Sequence, residues 1–291
     1  MRSWMSKILY KIVKRYEIQA STHYYFGLSL TKLISHRILR FVIYLADFSF
    51  NRKPLKNLKA LKNSKKGCSA ILCGTGKSLD RLHDDFINKN ELELWVVNDY
   101  FETEISSKNT PNYYCLSDPM DFNRLTDNSS HSSFFNYVTK INPTMVVPDS
   151  WAKNYKNYTR TIFYNDRQHF RISGKSNPTR PRKFISITLY KALNVMIYLG
   201  YDKIYLIGLD GSEFYGYVGN EKNELFQDYS FTHAKGVNKK VLKLHELKSG
   251  MAGRMQSYSR LFGDLSFFEK SKIINLNIES LIDAFNKNEL F

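Results

Sequence analysis

The residues best suited to chemistry lie in the run ILCGTGKSLD, residues 71–80, where Gly74, Thr75 and Gly76 form a glycine turn that Ser78 follows. A strand that opens into Gly-x-Gly can turn tightly, bring main-chain N–H groups close to a ligand and aim the start of a helix at a phosphate. The run lacks the third glycine of the dinucleotide fingerprint and the spacing of a P-loop. It therefore predicts nucleotide binding, with an ordinary strand-to-helix turn as the alternative.

Polar residues also end three other apolar runs. Asn98 and Asp99 close LELWVVND, Ser117 and Asp118 close NYYCLSD, and Asp210 closes KIYLIGLD. Because the carboxyl ends of parallel strands meet at one edge of a sheet, we expect these residues to gather there and bind base, ribose or sugar hydroxyls. Each of them taken singly is also a common turn or capping residue.

A third cluster precedes a predicted helix over residues 186–199. Ser186 stands at its start, Arg182 and Lys183 come just before it, and Gly200 is a natural stop at its end. Helix dipole and cations together suit a phosphate or carboxylate.

The elements that must position these residues alternate between strand and helix. Short apolar strands are predicted at LELWVVND, NYYCLSD, TMVVPD, TIFYND, KIYLIGLD and KIINLN, and a further helix over residues 252–270. This order predicts an α/β fold with a doubly wound, mostly parallel, Rossmann-like sheet in residues 67–291. Residues 211–250, polar and aromatic, are predicted to form a lid.

The N-terminal part has a different character. Residues 1–66 contain 15 Lys and Arg but 2 Asp and Glu, whereas the rest of the chain contains 28 and 25. Amphipathic helices are predicted over residues 1–18 and 31–50, followed by a basic linker over 51–66. Their cations alternate with Ile, Leu, Phe, Trp and Tyr, which favours an anionic membrane surface bound through residues 1–50 over nucleic acid. The alternative is that both helices pack on the main domain.

Cysteine usage and hydropathy indicate a compartment. Cys68, Cys73 and Cys115 are odd in number and have no metal-ligand spacing, which is typical of a reducing environment. No apolar run reaches the roughly 20 residues of a membrane span, and the start lacks the features of a secretory signal. The expectation is a cytoplasmic protein, peripheral on the inner membrane.

The block SITLYKALNVMIYLGYDKIYLIGLDGSEFYG, residues 186–216, resembles the equivalent block of the bacterial sialyltransferases of glycosyltransferase family 42. That family has a Ser-led helix followed by Leu-Gly-Tyr, a charged pair, Ile-Tyr-Leu, Gly-Ile-Asp and Phe-Tyr. The run from Gly74 resembles its Gly-Asn-Gly-Pro-Ser-Leu, and Asn98-Asp99-Tyr100 resembles its Asn-Gln-Phe. The resemblance covers about residues 68–281. A broader likeness extends to flagellin-modifying sugar transferases and a pterin pyrophosphokinase.

The resemblance implies a GT-A variant fold, a CMP-sugar donor, no cofactor and a metal-independent mechanism. It implies nucleotide contacts from the glycine turn, Asn98 and Ser186, and phosphate contacts from lid tyrosines: Tyr215 and either Tyr217 or Tyr229. The partners it implies are the nucleotide-sugar donor and a glycan or glycolipid acceptor of lipopolysaccharide or capsule. Sialyltransferase-like folds are often oligomers, so a homo-oligomer stays open.

A base must take the proton of the acceptor hydroxyl, and histidine suits that role near neutral pH. By the spacing of the resembled family His245 is the match, while the local context of His233 makes it an equal alternative. Phosphate stabilisation is assigned to Tyr215 and, after it, to Lys77 or Lys183.

Departures from the family pattern leave the donor open. Lys77 replaces Pro, Asp99 replaces Gln, and Ile187 replaces Gly, so sialic acid, another nonulosonic acid and Kdo are equal candidates. Two other functions remain: a phosphotransferase with a divalent metal on Asp99, Asp118 and Asp210, and a nucleotide-binding scaffold without chemistry.

Overall fold

The computed structural model describes residues 53–126, 133–153, 160–166, 177–180, 187–211 and 270–289, together with positions 38, 155 and 268. The chain divides into two compact units, residues 1–49 and 50–291. The helices predicted over 1–18 and 31–50, the helix over 252–270 and the lid over 211–250 lie outside the described residues, apart from single positions at 38, 211, 268 and 270.

The second unit is built on one eight-stranded sheet in which every pairing is parallel. Its strand order is β5-β4-β3-β2-β1-β6-β7-β8. The strands are β1 (Ser69–Cys73), β2 (Glu93–Val97), β3 (Tyr113–Cys115), β4 (Thr144–Pro148), β5 (Thr161–Tyr164), β6 (Lys203–Ile207), β7 (Ile273–Asn275) and β8 (Asn286–Lys287).

Helices and short 3₁₀ turns connect these strands. The α-helices are α1 (Leu55–Ala60), α2 (Asp84–Lys89), α3 (Pro119–Thr126), α4 (Ser133–Ile141) and α5 (Thr188–Leu199). The 3₁₀ turns span Lys77–Arg81, Asn98–Glu102, Glu104–Ser107, Asp149–Trp151 and Lys270–Lys272. Of the described helices, none is long and apolar enough to cross a membrane.

Both faces of the sheet are buried. Alternate residues of each strand enter separate cores: Leu72 and Trp95 pack with α5 on one face, and Ile71 and Val96 pack with α2 and α4 on the other. A strand that is covered on both faces needs apolar residues at every position, which is why these strands read as continuous apolar runs. The predicted α/β class and mostly parallel sheet are confirmed.

The path of the chain creates a switch point between β1 and β6. The strands run outward from β1 to β5, and the chain then crosses back through α5 to place β6 on the other side of β1. After β1 the chain continues toward β2, and after β6 it continues toward β7 on the other side. Because these two connections leave in opposite directions, a crevice opens at the carboxyl ends of β1 and β6. The crossing helix ends at Gly200, whose φ of 94° is left-handed, as its sequence predicts.

The segment predicted as a linker over residues 51–66 differs from that expectation. It contains α1, whose Leu55 and Leu58 are 3% and 0% exposed and belong to the folded unit. The main-chain N–H of Lys65 donates to the carbonyl of Leu199 at 2.9 Å, so the chain after α1 is fixed as well. The many lysines concealed a leucine repeat of three residues, which is one face of a helix.

We expect Leu58→Ala to lower the free energy of unfolding by about 2 to 5 kcal/mol, because it leaves a cavity in a closed core. Guanidinium denaturation of the full chain measures this. The matched control is Lys59→Ala on the exposed side of α1, which should stay within about 0.5 kcal/mol of the parent. Equal stability of both variants would show that residues 53–66 are a linker after all.

Candidate functional site

The glycine turn after β1 touches the main chain that follows β6. The N–H of Gly74 donates to the carbonyl of Ile207 at 2.8 Å, and the N–H of Gly76 donates to that of Gly208 at 3.0 Å. A Cβ added at Gly74 would lie 2.4 Å from the carbonyl oxygen of Gly208, and one at Gly76 would lie 2.6 Å from a carboxylate oxygen of Asp210. Only glycine permits two backbones to approach this closely.

Gly208 is constrained from the other side of the same contact. Its φ of 72° is left-handed, and a Cβ there would lie 2.5 Å from the carbonyl oxygen of Gly74. The glycine turn and the end of β6 are therefore one unit, located at the switch point of the sheet.

The carboxylate of Asp210 stabilises this unit through hydrogen bonds. We call the four residues involved the aspartate clamp: Asp210, Ser78, Gly208 and Asn277. The N–H of Ser78 donates to Asp210 Oδ2 at 2.9 Å, while the Ser78 hydroxyl donates to Oδ1. The N–H of Gly208 donates to Ser78 Oγ at 2.9 Å, and Asn277 Nδ2 donates to Asp210 Oδ1 at 2.9 Å. Both predicted site residues Ser78 and Asp210 thus bind each other and hold the turn.

Two residues at or beside the aspartate clamp were not predicted from the sequence. Asn277 and Ser280 follow β7, and the Ser280 hydroxyl donates to the carbonyl of Leu209 at 2.6 Å. The main-chain N–H of Leu281 donates to the carbonyl of Asp210 at 2.8 Å. The signal for them was the polar end of the run KIINLN, which resembles the other strand ends.

Asn98, directly after β2, combines two unusual features. Its φ is 49°, left-handed, and its side-chain Oδ1 is buried without a hydrogen-bond partner in the described part of the chain. The hydroxyl of Tyr114 donates to its main-chain oxygen. Strained backbone and an unsatisfied buried polar atom together are typical of a ligand site.

Tyr114 keeps its donor role across the physiological range. Burial, as the largest cause, raises the pKa of this phenol well above its ordinary value. The hydroxyl therefore stays protonated and holds the backbone of Asn98 in position. The buried thiol of Cys73 at the end of β1 likewise has a raised pKa because of burial, which makes it an inert core group.

The start of α5 reaches the same edge. The hydroxyls of Ser117, after β3, and Thr188, the first residue of α5, are 2.7 Å apart. The Leu189 side chain lies 2.9 Å from where a Cβ at Gly74 would stand. The first-turn N–H groups of α5 and its positive dipole end thus lie beside the glycine turn.

The remaining predicted residues divide into two groups. Half-buried Thr75 and Asp99, together with exposed Asp118, lie at this edge of the sheet. Residues predicted for the donor and for the base lie outside the described residues: Ser186, Tyr215, Tyr217, Tyr229, His233 and His245. Within the described ranges, no group of three His, Cys, Asp or Glu side chains could hold a metal ion, so Asp99, Asp118 and Asp210 do not form one.

Comparisons with protein-family models, with curated proteins and with solved structures find no match for this chain.

We expect Asp210→Asn to lower the free energy of unfolding by about 1 to 3 kcal/mol, because the amide nitrogen that replaces one carboxylate oxygen cannot accept a hydrogen bond from Ser78 or Asn277. Thermal denaturation measures the effect. The control is Asp283→Asn at an exposed aspartate, and it should change the stability little. A double-mutant cycle with Ser78→Ala should be strongly non-additive; additivity would contradict the clamp.

Proposed function

We propose that this chain is a glycosyltransferase that moves an acidic sugar from a CMP-linked donor to a surface-glycan acceptor. The donor sugar is sialic acid, a related nonulosonic acid or Kdo, and the acceptor belongs to lipopolysaccharide or capsule. The support is the resemblance of the motifs in residues 68–281, taken with a parallel sheet whose glycine turn lies at the switch point. A GT-A variant with a lid is part of this proposal.

The observation that carries the proposal is the side chain of Asn98. Its amide oxygen is buried, unpartnered among the described residues and located one strand from the glycine turn, since β2 pairs with β1. A nucleotide offers ribose hydroxyl and base amino donors to such an oxygen. The phosphate would then lie near the glycine turn and the start of α5, where main-chain N–H groups and a helix dipole stabilise negative charge.

In this reaction the acceptor oxygen attacks the anomeric carbon of the donor sugar. The bond between that carbon and the CMP phosphate oxygen breaks, and the acceptor proton passes to a base, for which His245 and His233 are the sequence candidates. The departing phosphate gains one negative charge and leaves as the dianion of CMP, which Tyr215 and Lys77 or Lys183 would stabilise. These assignments come from the sequence alone.

The phosphotransferase alternative finds no favouring observation in the described residues. It needs Asp210 as a metal ligand, but this carboxylate already accepts hydrogen bonds from Ser78 and Asn277. The scaffold alternative predicts nucleotide binding without turnover. A cytoplasmic location, peripheral on the inner membrane through residues 1–50, accompanies the transferase, because lipid-carried acceptors are found there.

The first test is a thermal-shift panel of CMP, CDP, UDP, GDP and ATP, each with and without Mg²⁺. A ligand at 100 times its dissociation constant adds about 2.7 kcal/mol to the stability of the folded state. We expect a CMP-selective shift that Mg²⁺ does not change. An ATP shift that requires Mg²⁺ would favour the phosphotransferase, and the absence of any shift would refute nucleotide binding.

The second test removes the Asn98 side chain through Asn98→Gly. Glycine accepts the left-handed φ of 49°, so the fold should persist while CMP binds about tenfold more weakly. The control is Asn142→Gly, because Asn142 also has a left-handed φ, 51°, but precedes β4 at the opposite edge of the sheet. Calorimetric titration with CMP measures both. Unchanged affinity in Asn98→Gly would remove this residue from the site.

A further inference from the structure

The outer surface of α1 and of the turn after it carries a dense group of cations. Residues 53–66 contain six lysines and no aspartate or glutamate. Five of these lysines are exposed, and we name them the lysine face: Lys53, Lys56, Lys59, Lys62 and Lys66.

The lysine face is held on a rigid support. Buried Leu55 and Leu58 fix the inner side of α1 to the core, whereas Lys56 and Lys59, which follow them, are exposed. The N–H of Asn63 donates to the carbonyl of Tyr198 at 3.2 Å, which ties the following turn to the end of α5. The face is therefore a property of the folded domain rather than of a loose tail.

The charge of this face is not neutralised within the described part of the chain. The sixth lysine, Lys65, turns inward, where it pairs with Glu93 and lies 5.6 Å from the ring centre of Tyr113. None of the five exposed lysines has an ion-pair partner among the described residues. Lysines three residues apart on a helix repel each other, so the arrangement costs stability that a bound anionic partner would offset.

We propose that the lysine face binds the headgroups of an anionic phospholipid bilayer and so orients the folded domain on the membrane. Strongly hydrated, flexible ammonium groups suit a surface of mobile phosphates. The face contains neither an arginine nor an aromatic side chain, which nucleic-acid surfaces use for bidentate contacts and base stacking. The segments 1–18 and 31–50, which precede it in the sequence, alternate cations with apolar side chains, a pattern typical of lipid interfaces. This inference does not depend on the CMP-sugar donor.

The test uses the full chain and vesicles of phosphatidylcholine, with or without an equal part of phosphatidylglycerol. Each lysine near an anionic surface raises the partition coefficient about fivefold. We therefore expect the variant Lys56→Gln, Lys59→Gln, Lys62→Gln and Lys66→Gln to bind the anionic vesicles at least about 50-fold more weakly in co-sedimentation. Higher salt should also weaken binding of the parent chain to the anionic vesicles.

The matched control removes four exposed lysines elsewhere: Lys89→Gln, Lys108→Gln, Lys140→Gln and Lys270→Gln. It has the same net charge, and we expect it to keep most of the binding. Equal losses in the two variants would overturn the proposal, since total charge would then be the cause. So would a parent chain that ignores anionic vesicles, or a lysine-face variant that binds them fully.

Binding of each variant to oligonucleotides tests nucleic acid as the alternative anionic partner. If the lysine-face variant loses binding to duplex DNA or to RNA but keeps vesicle binding, the face serves nucleic acid and the membrane proposal is wrong. The CMP thermal shift of each variant reports on folding and on the donor site. A missing CMP shift together with intact vesicle binding would contradict the CMP-sugar donor and leave this inference standing. A CMP shift without vesicle binding would leave the donor proposal intact and contradict this inference together with the membrane location proposed for residues 1–50.

Discussion

The candidate site depends on one close approach between backbones, the contact of the glycine turn after β1 with the chain after β6. Gly74, Gly76 and Gly208 lie so close that a single Cβ at any of them would overlap a neighbouring atom. The carboxylate of Asp210 then fixes the contact through Ser78 and Asn277. Without this contact, the two strands at the switch point would end in unrelated loops.

The long crossing helix α5 connects this backbone contact with the rest of the sheet. Most of α5 is buried, because it covers β1, β2 and β3 while it carries the chain from the edge back to the centre. Its first turn meets the glycine turn through Leu189 and the end of β3 through Thr188. The same packing that builds one core therefore also sets the position of a helix N-terminus beside the proposed nucleotide.

The edge of the sheet opposite the candidate site carries a separate polar network. There the hydroxyl of Tyr201 contacts Glu93 and accepts a hydrogen bond from the Trp95 indole at 3.1 Å, and Lys65 pairs with the same carboxylate. Burial raises the pKa of Tyr201, so its hydroxyl stays protonated within this network. It joins β2, the chain before β6 and the turn after α1, which means that this edge stabilises the domain and also supports the lysine face.

The sequence alone determined the class of fold and the edge of the sheet where polar residues gather. Continuous apolar runs predict strands that are buried on both faces, and the glycine turn and Gly200 mark where the chain must change direction, because these are local properties of the backbone. It did not reveal α1, whose two buried leucines are hidden among lysines, or the short strand β8. Nor could it show that Ser78 and Asp210 bind each other, that Asn277 joins them, or that the Asn98 oxygen is buried without a partner in the described chain. Those facts depend on contacts between residues more than 60 positions apart in the chain, or on burial, and only the packing of the sheet decides them.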